Sequence, residues 1–312
     1  MSKYAIHEDF KKLEKNTLPF YPIVLPLLNK LMQRSNSRLK LPDGIVVTKK
    51  QIKGYRNGLI DLFLYEPANL QENAPCLVYF HGGAFALKEA HYHIRLVCDY
   101  ALRTPCKVVF VDYRLAPKHV FPVGAEDGYA SFEWTLANAD SLGIDPRKIA
   151  VGGDSAGGAI AAGVTLMARD KGVVPGICYQ MLVYPVTDAR QTTESMRQYT
   201  DTPMWNAKLN KKMWDLYLKN GVEGPREYAS PMEAASLDGL PDAYLEVAEY
   251  DCLRDEGIQY AEALRRSGVG VELHRTEGTV HGYDLEEKSD ITLESKSRRI
   301  EALRKAFYGH EK

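Results

Sequence analysis

The residues best suited to chemistry form the run Gly153-Asp154-Ser155-Ala156-Gly157, a GxSxG match between a strand-like stretch, KIAVGG, and a helix-like one, GGAIAAGVTLMARD. A serine on so sharp a strand-to-helix turn is held in a strained backbone, among small residues because the turn brings main chains together. Its hydroxyl then projects beyond the strand end as a nucleophile. The helix N-terminus favours negative charge developing beside it. The bland alternative is a tight glycine-rich turn with an ordinary serine; the GxGxxG and GxxxxGK(S/T) spacings of nucleotide-binding loops are absent. A second run, His81-Gly82-Gly83-Ala84-Phe85, follows the strand-like CLVYF. Backbone N–H groups of such a loop, joined by that of Ala156, would supply an oxyanion hole for acyl transfer. Read blandly, it is a simple turn.

The elements that must position these groups alternate between short β-branched or aromatic runs and longer stretches of helical period, the pattern of an α/β sheet. Strands are expected near 45–53, 59–65, 76–80, 108–111, 149–152, 181–184, 244–247 and 271–274. CLVYF and KVVFVDY are continuously apolar, as parallel central strands covered on both faces must be. The first two strands alternate, which suits antiparallel edge strands. Helices are expected where Ala125, Tyr129, Phe132 and Leu136 recur, where Ile258, Ala261 and Leu264 follow an N-cap at Asp255, and after Asp290, with Ile300, Leu303 and Phe307 on one face. Residues 1–44 and 188–222 stand outside this rhythm and are expected to form a cap over a core of 45–187 and 223–312.

Taken in order, HGGA-F, Asp112-Tyr113-Arg114-Leu115-Ala116-Pro117, Phe121-Pro122, Glu126-Asp127, GDSAGG, Asp251-Cys252-Leu253-Arg254-Asp255-Glu256-Gly257 and His281-Gly282-Tyr283 resemble the hormone-sensitive-lipase-like branch of the α/β-hydrolases, whose bacterial members are carboxylesterases and acetyl esterases. The resemblance runs from His81 to Tyr283. It implies an α/β-hydrolase fold, a mostly parallel sheet with helices on both faces and a helical cap. It also implies the chain order Ser155, Asp251, His281 for a catalytic triad, with an oxyanion hole at Gly83, Ala84 and Ala156. Asp251 lies just beyond the strand AYLEVAE; Glu249 and Asp255 are its rivals. His281 sits in a loop from which it can reach Ser155, whereas His274 lies inside a strand. His81 would brace the oxyanion loop, and Tyr113 and Arg114 would support its neighbour. The sequence departs from the family at Ala84, where a third glycine is usual, and at Cys252, where a proline is usual.

The implied activity is hydrolysis of short acyl esters with no cofactor or metal. His91 and His93, two apart, suggest metal ligation only weakly. The Met/Trp-rich stretch Met204–Tyr217 fits either a lining that shortens the acyl pocket or a helix buried in the cap. A lipase acting on longer acyl chains, or a non-catalytic binding protein like the plant gibberellin receptors, is the alternative. With 40 Lys+Arg against 41 Asp+Glu in 312 residues, a polybasic nucleic-acid or anionic-membrane surface is excluded as the organising feature of the molecule. The expected partner is a small neutral ester, with no nucleic acid and no membrane, and with a homodimer possible. The charged N-terminus lacks a secretory pattern. The 5 scattered cysteines have no CxxC spacing, so a cytoplasmic setting is expected.

Overall fold

The computed structural model describes residues 3–16 and 20–309. Residues 1, 2 and 17–19 of the expected cap and 310–312 of the expected core lie outside the described residues. Eight strands form one sheet: β1 (Ile45–Lys53), β2 (Leu59–Pro67), β3 (Ala74–Phe80), β4 (Lys107–Asp112), β5 (Ile144–Asp154), β6 (Tyr179–Val183), β7 (Ala243–Tyr250) and β8 (Val271–Val280). Their order is β1-β2-β4-β3-β5-β6-β7-β8. The pairs β1/β2 and β2/β4 are antiparallel and every other pair is parallel. All eight expected strands are present. Of the first two strands only β1 lies at an edge, however, the opposite edge being β8; β2 lies between β1 and β4, and its alternation reflects one buried and one half-exposed face.

The helices are α1 (Leu25–Asn36), α2 (His91–Arg103), α3 (Val123–Ala137), α4 (Ala156–Asp170), α5 (Glu194–Gln198), α6 (Ala207–Tyr217), α7 (Arg254–Arg266) and α8 (Asp290–Tyr308). Strand β3 is buried along its whole length, and α4 is apolar nearly all round because it packs under the sheet and is covered in turn by α3 and the chain near Tyr228. A second apolar cluster, on the other face, joins β3 and β4 to α2 and to Ile300, Leu303 and Phe307 of α8. No described helix is long and apolar enough to cross a membrane, and all five cysteines are free.

One helix start differs from the sequence expectation. Asp255 lies inside the first turn of α7, and Leu253 holds the N-cap position without a side-chain bond. The capping hydroxyl comes from outside the helix: Ser195 Oγ accepts the Asp255 N–H at 3.1 Å, while the Asp255 carboxylate accepts the Ser195 N–H at 2.7 Å. This reciprocal pair ties α5 to the sheet's carboxyl edge.

The segments 3–44 and 188–222 touch one another. Asp201 bonds Lys3 and Tyr4, the Met204 N–H donates to the Asn16 carbonyl at 2.9 Å, and Phe20 meets Trp205 edge-on. From α1, Asn29 bonds the Ala86 carbonyl and the Lys88 N–H, and Asn36 bonds the Glu89 carbonyl. Both contacts fall on the loop that follows β3.

Candidate active site

Strand β5 ends at Asp154 and α4 begins at Ala156, so Ser155 alone makes the turn, with φ 54° and ψ −120°. That region costs a non-glycine residue about 1–3 kcal/mol and persists only where the surroundings over-determine it. Here the Ser155 N–H donates to the Val183 carbonyl, and its own carbonyl accepts from Val186. Close packing explains the small neighbours: a Cβ on Gly157 would lie 2.0 Å from the Phe80 carbonyl oxygen. Ser155 Oγ stands 2.9 Å from His281 Nε2, and His281 Nδ1 stands 2.7 Å from Asp251 Oδ2. Asp251 is fully buried, and its other oxygen accepts the Leu253 N–H at 3.0 Å.

The rivals face elsewhere. Glu249 bonds Arg275 and the Gly278 N–H, and Asp255 bonds Ser195 and Arg254. His274 lies against Tyr244 and bonds Glu272. The imidazole of His281 is held between the rings of Tyr184 and Trp205. The turn behind it is pinned by Arg299 of α8, fully buried, which pairs with Glu246 and with Asp284, while Tyr184 donates to Asp284 at 2.6 Å.

The loop after β3 approaches Ser155 from the opposite side. Gly83 takes φ 121°, which favours glycine, and a Cβ there would lie 2.5 Å from the Leu87 carbonyl oxygen. Ala84 and Phe85 also take positive φ, 55° and 57°, so the alanine's N–H is presented at a cost of about 1–2 kcal/mol that a glycine would not incur. The Phe85 ring repays part of it by stacking on Tyr217 of α6, centroids 3.8 Å apart. No acceptor among the described residues takes the N–H of Gly83 or Ala84, and the Ala156 N–H, first in its helix, has no intrahelical partner.

Sequence reasoning quoted Asp154 but gave it no role. In the structure this buried carboxylate joins both sides of the site: it accepts from the Gly82 N–H, the Tyr79 hydroxyl and the Tyr92 hydroxyl, and pairs with His93 Nε2 at 3.1 Å. Burial opposes its ionisation, but His93 and the Tyr79 hydrogen bond hold the carboxyl below the usual carboxylate range. Its position before the nucleophile was the only available signal. His93 is therefore committed to Asp154, while His91 bonds Ser35, and the two do not converge on a metal. His81 braces the loop chiefly by stacking on Tyr113 and Phe110, with Nδ1 at the Gly82 carbonyl; burial lowers its pKa to about 3, so the ring is neutral. Tyr113 donates to the His81 carbonyl, and Arg114 forks onto Asp127. Ligand atoms of His81, Glu89 and Asp112 lie within 4.8 Å of one another, but the Lys88 ammonium already neutralises Asp112.

A cavity of about 160 Å³ opens at Ser155 and His281, lined by Gly83, Ala84, Tyr184, Met204 and Trp205, with Met32 of α1 contributing from above. The Met/Trp-rich stretch is thus divided. Met204 and Trp205 face the cavity, and Met213, Trp214 and Tyr217 lie in the main apolar core.

The chain is similar to known proteins in both sequence and structure. A family model described as alpha/beta hydrolase fold matches residues 77–285. Esterase LipI of Mycobacterium tuberculosis is 34% identical, the match covering 94% of this chain and 98% of the relative. Carboxylesterase NlhH of the same organism is also 34% identical, over 92% and 97%. Among solved structures, a bacterial heroin esterase superposes with a TM-score of 0.89 at 34% identity, covering 97% of this chain and 98% of the other. Esterase LipW from Mycobacterium marinum gives 0.88 at 29% identity, over 97% and 96%. Likeness over nearly the full length, in sequence and in structure, shows that this chain belongs to the α/β-hydrolase fold family and is a carboxylic ester hydrolase.

Proposed function

We propose that the protein hydrolyses small, neutral, short-chain acyl esters through Ser155, His281 and Asp251. The hydroxyl–imidazole–carboxylate chain, with its 2.9 Å and 2.7 Å contacts, is the observation that carries this reading. Ser155 Oγ attacks the ester carbonyl carbon as His281 Nε2 takes its proton. Asp251 fixes the tautomer through Nδ1–H and stabilises the imidazolium. The N–H groups of Gly83, Ala84 and Ala156 receive the oxyanion. His281 returns the proton to the leaving alkoxide, which departs as the alcohol. Water, deprotonated by the same imidazole, then attacks the acyl-enzyme, and Ser155 leaves with its proton restored.

The short-chain preference is supported by the cavity of about 160 Å³, below the roughly 300–1,000 Å³ of pockets for drug-sized ligands. Segments 1–44 and 188–222 serve as the cap that sets this limit, over a catalytic core of 45–187 and 223–312. A series of p-nitrophenyl esters tests both parts. Turnover is expected to peak at acetyl to hexanoyl chains and to vanish in Ser155→Ala. A peak at long chains overturns the size limit, and persistent turnover in the variant overturns the nucleophile.

A further inference from the structure

The outward line of α1 has no partner within the molecule. Its inner side is committed: Asn29 and Asn36 hold the loop after β3, and Met32 lines the cavity over Ser155. On the opposite side Val24, Leu27 and Leu31 follow one another at helical spacing, and all three are exposed, Leu27 by 64%. Ile23, just before the helix, is 89% exposed. Arg34 and Arg38 continue the same line at its C-terminal end. There Leu31, Arg34, Ser35, Arg38, Lys40 and Arg95 border a wide surface groove of about 670 Å³. Arg95 is engaged by Glu287. Arg34, Arg38 and Lys40 are exposed and have no carboxylate partner among the described residues. The near-neutral total charge conceals this local excess, since residues 20–42 contain Lys30, Arg34, Arg38 and Lys40 and no Asp or Glu.

An apolar stripe running into unpaired cations matches one kind of surface, an interface with apolar interior and anionic headgroups. A second copy of the chain fits poorly. A two-fold contact through this face would leave each copy's Arg34, Arg38 and Lys40 without an acid to meet, because the same segment of the other copy, residues 20–42, has none. We propose that α1 docks the enzyme peripherally on anionic lipid surfaces, with Ile23, Leu27 and Leu31 entering the headgroup–acyl boundary and Arg34, Arg38 and Lys40 meeting the phosphates. Apolar esters held in that interface would then lie beside Met32 and the mouth of the cavity.

The proposal concerns binding and stands apart from the identity of the nucleophile. Co-sedimentation with vesicles of phosphatidylcholine, alone or mixed with phosphatidylglycerol, tests it on the full chain. The protein is expected to pellet with the anionic vesicles, to bind the zwitterionic ones at least tenfold more weakly, and to be released as salt rises. The pairs Leu27→Ser with Leu31→Ser and Arg34→Glu with Arg38→Glu should each weaken binding at least tenfold and leave hydrolysis of soluble p-nitrophenyl acetate unchanged. Protein that stays in the supernatant with both vesicles, or salt-independent binding by the unaltered chain, overturns the proposal. So does light scattering that finds a dimer which Leu27→Ser converts to monomer, because a second copy would then cover the stripe.

Discussion

The two walls of the cavity are built by opposite means. The wall made by the sheet's carboxyl edge is fixed by buried polar groups, each with named partners: Asp154 with Gly82, Tyr79, Tyr92 and His93, and Arg299 with Glu246 and Asp284 behind His281. The wall made by the cap is fixed by apolar and aromatic contact, with Phe85 on Tyr217, Phe20 on Trp205, and Met204 and Trp205 facing the cavity. A polar wall fails when one atom is missing, since a buried group left unpaired carries its full desolvation cost. An apolar wall responds to volume and tolerates exchange. On the proposed function, chemistry belongs on the first wall and selectivity on the second.

Substitutions on the polar wall should therefore cost most. Asp251→Asn is expected to lower kcat by about 10⁴-fold by favouring the wrong tautomer of His281, with circular dichroism unchanged. A cap substitution of equal effect would erase the contrast. Asp154→Asn strikes the hub outside the reacting groups. Removing a buried carboxylate that accepts from Gly82, Tyr79, Tyr92 and His93 is expected to cost about 1.5–3 kcal/mol in a denaturant titration, and kcat should fall by roughly a hundredfold as the Gly82 loop loses its anchor. An unchanged denaturation midpoint would show that the network is not holding the two sides together.

On the cap wall, Met204→Ala or Trp205→Ala should move the preferred acyl chain upward by a few carbons while changing acetyl turnover by no more than about tenfold. A shift in the same direction from Met213→Ala, in the core behind, would mean that packing at a distance sets the limit. The last effect is one of pH. Because His81 is buried neutral, with its pKa lowered from 6.5 to about 3, the unfolded chain binds a proton that the folded chain refuses. That contribution is fully present above about pH 6.5 and is lost as pH falls toward about 3, by up to about 1.4 kcal/mol per unit. His81→Phe, which keeps a ring for stacking, should flatten this part of the pH–stability curve, and an unaltered slope would assign the acid sensitivity to other groups.

The same division explains what could be read in the sequence. Strands β3 and β4 were legible because full burial demands unbroken apolar runs. Ser155 was legible because a strained turn demands small neighbours on both sides. Asp251 and His281 could be put together only through the family's chain order, since 30 residues separate them and nothing local pairs them. The capping of α7 by Ser195 was invisible, because the hydroxyl arrives from 60 residues away while Asp255 offers a plausible local cap. The split of the Met204–Tyr217 stretch between cavity and core was equally hidden. Both environments select large apolar side chains, so composition cannot divide them.

The central claim is that Ser155 is an activated nucleophile. Its most direct test is treatment of the full chain with a fluorophosphonate, followed by intact mass and peptide mapping. One adduct per chain is expected on the peptide bearing Ser155, absent in Ser155→Ala and much slower to form in His281→Ala. An unlabelled native chain, or an adduct mapping to another residue, would contradict it.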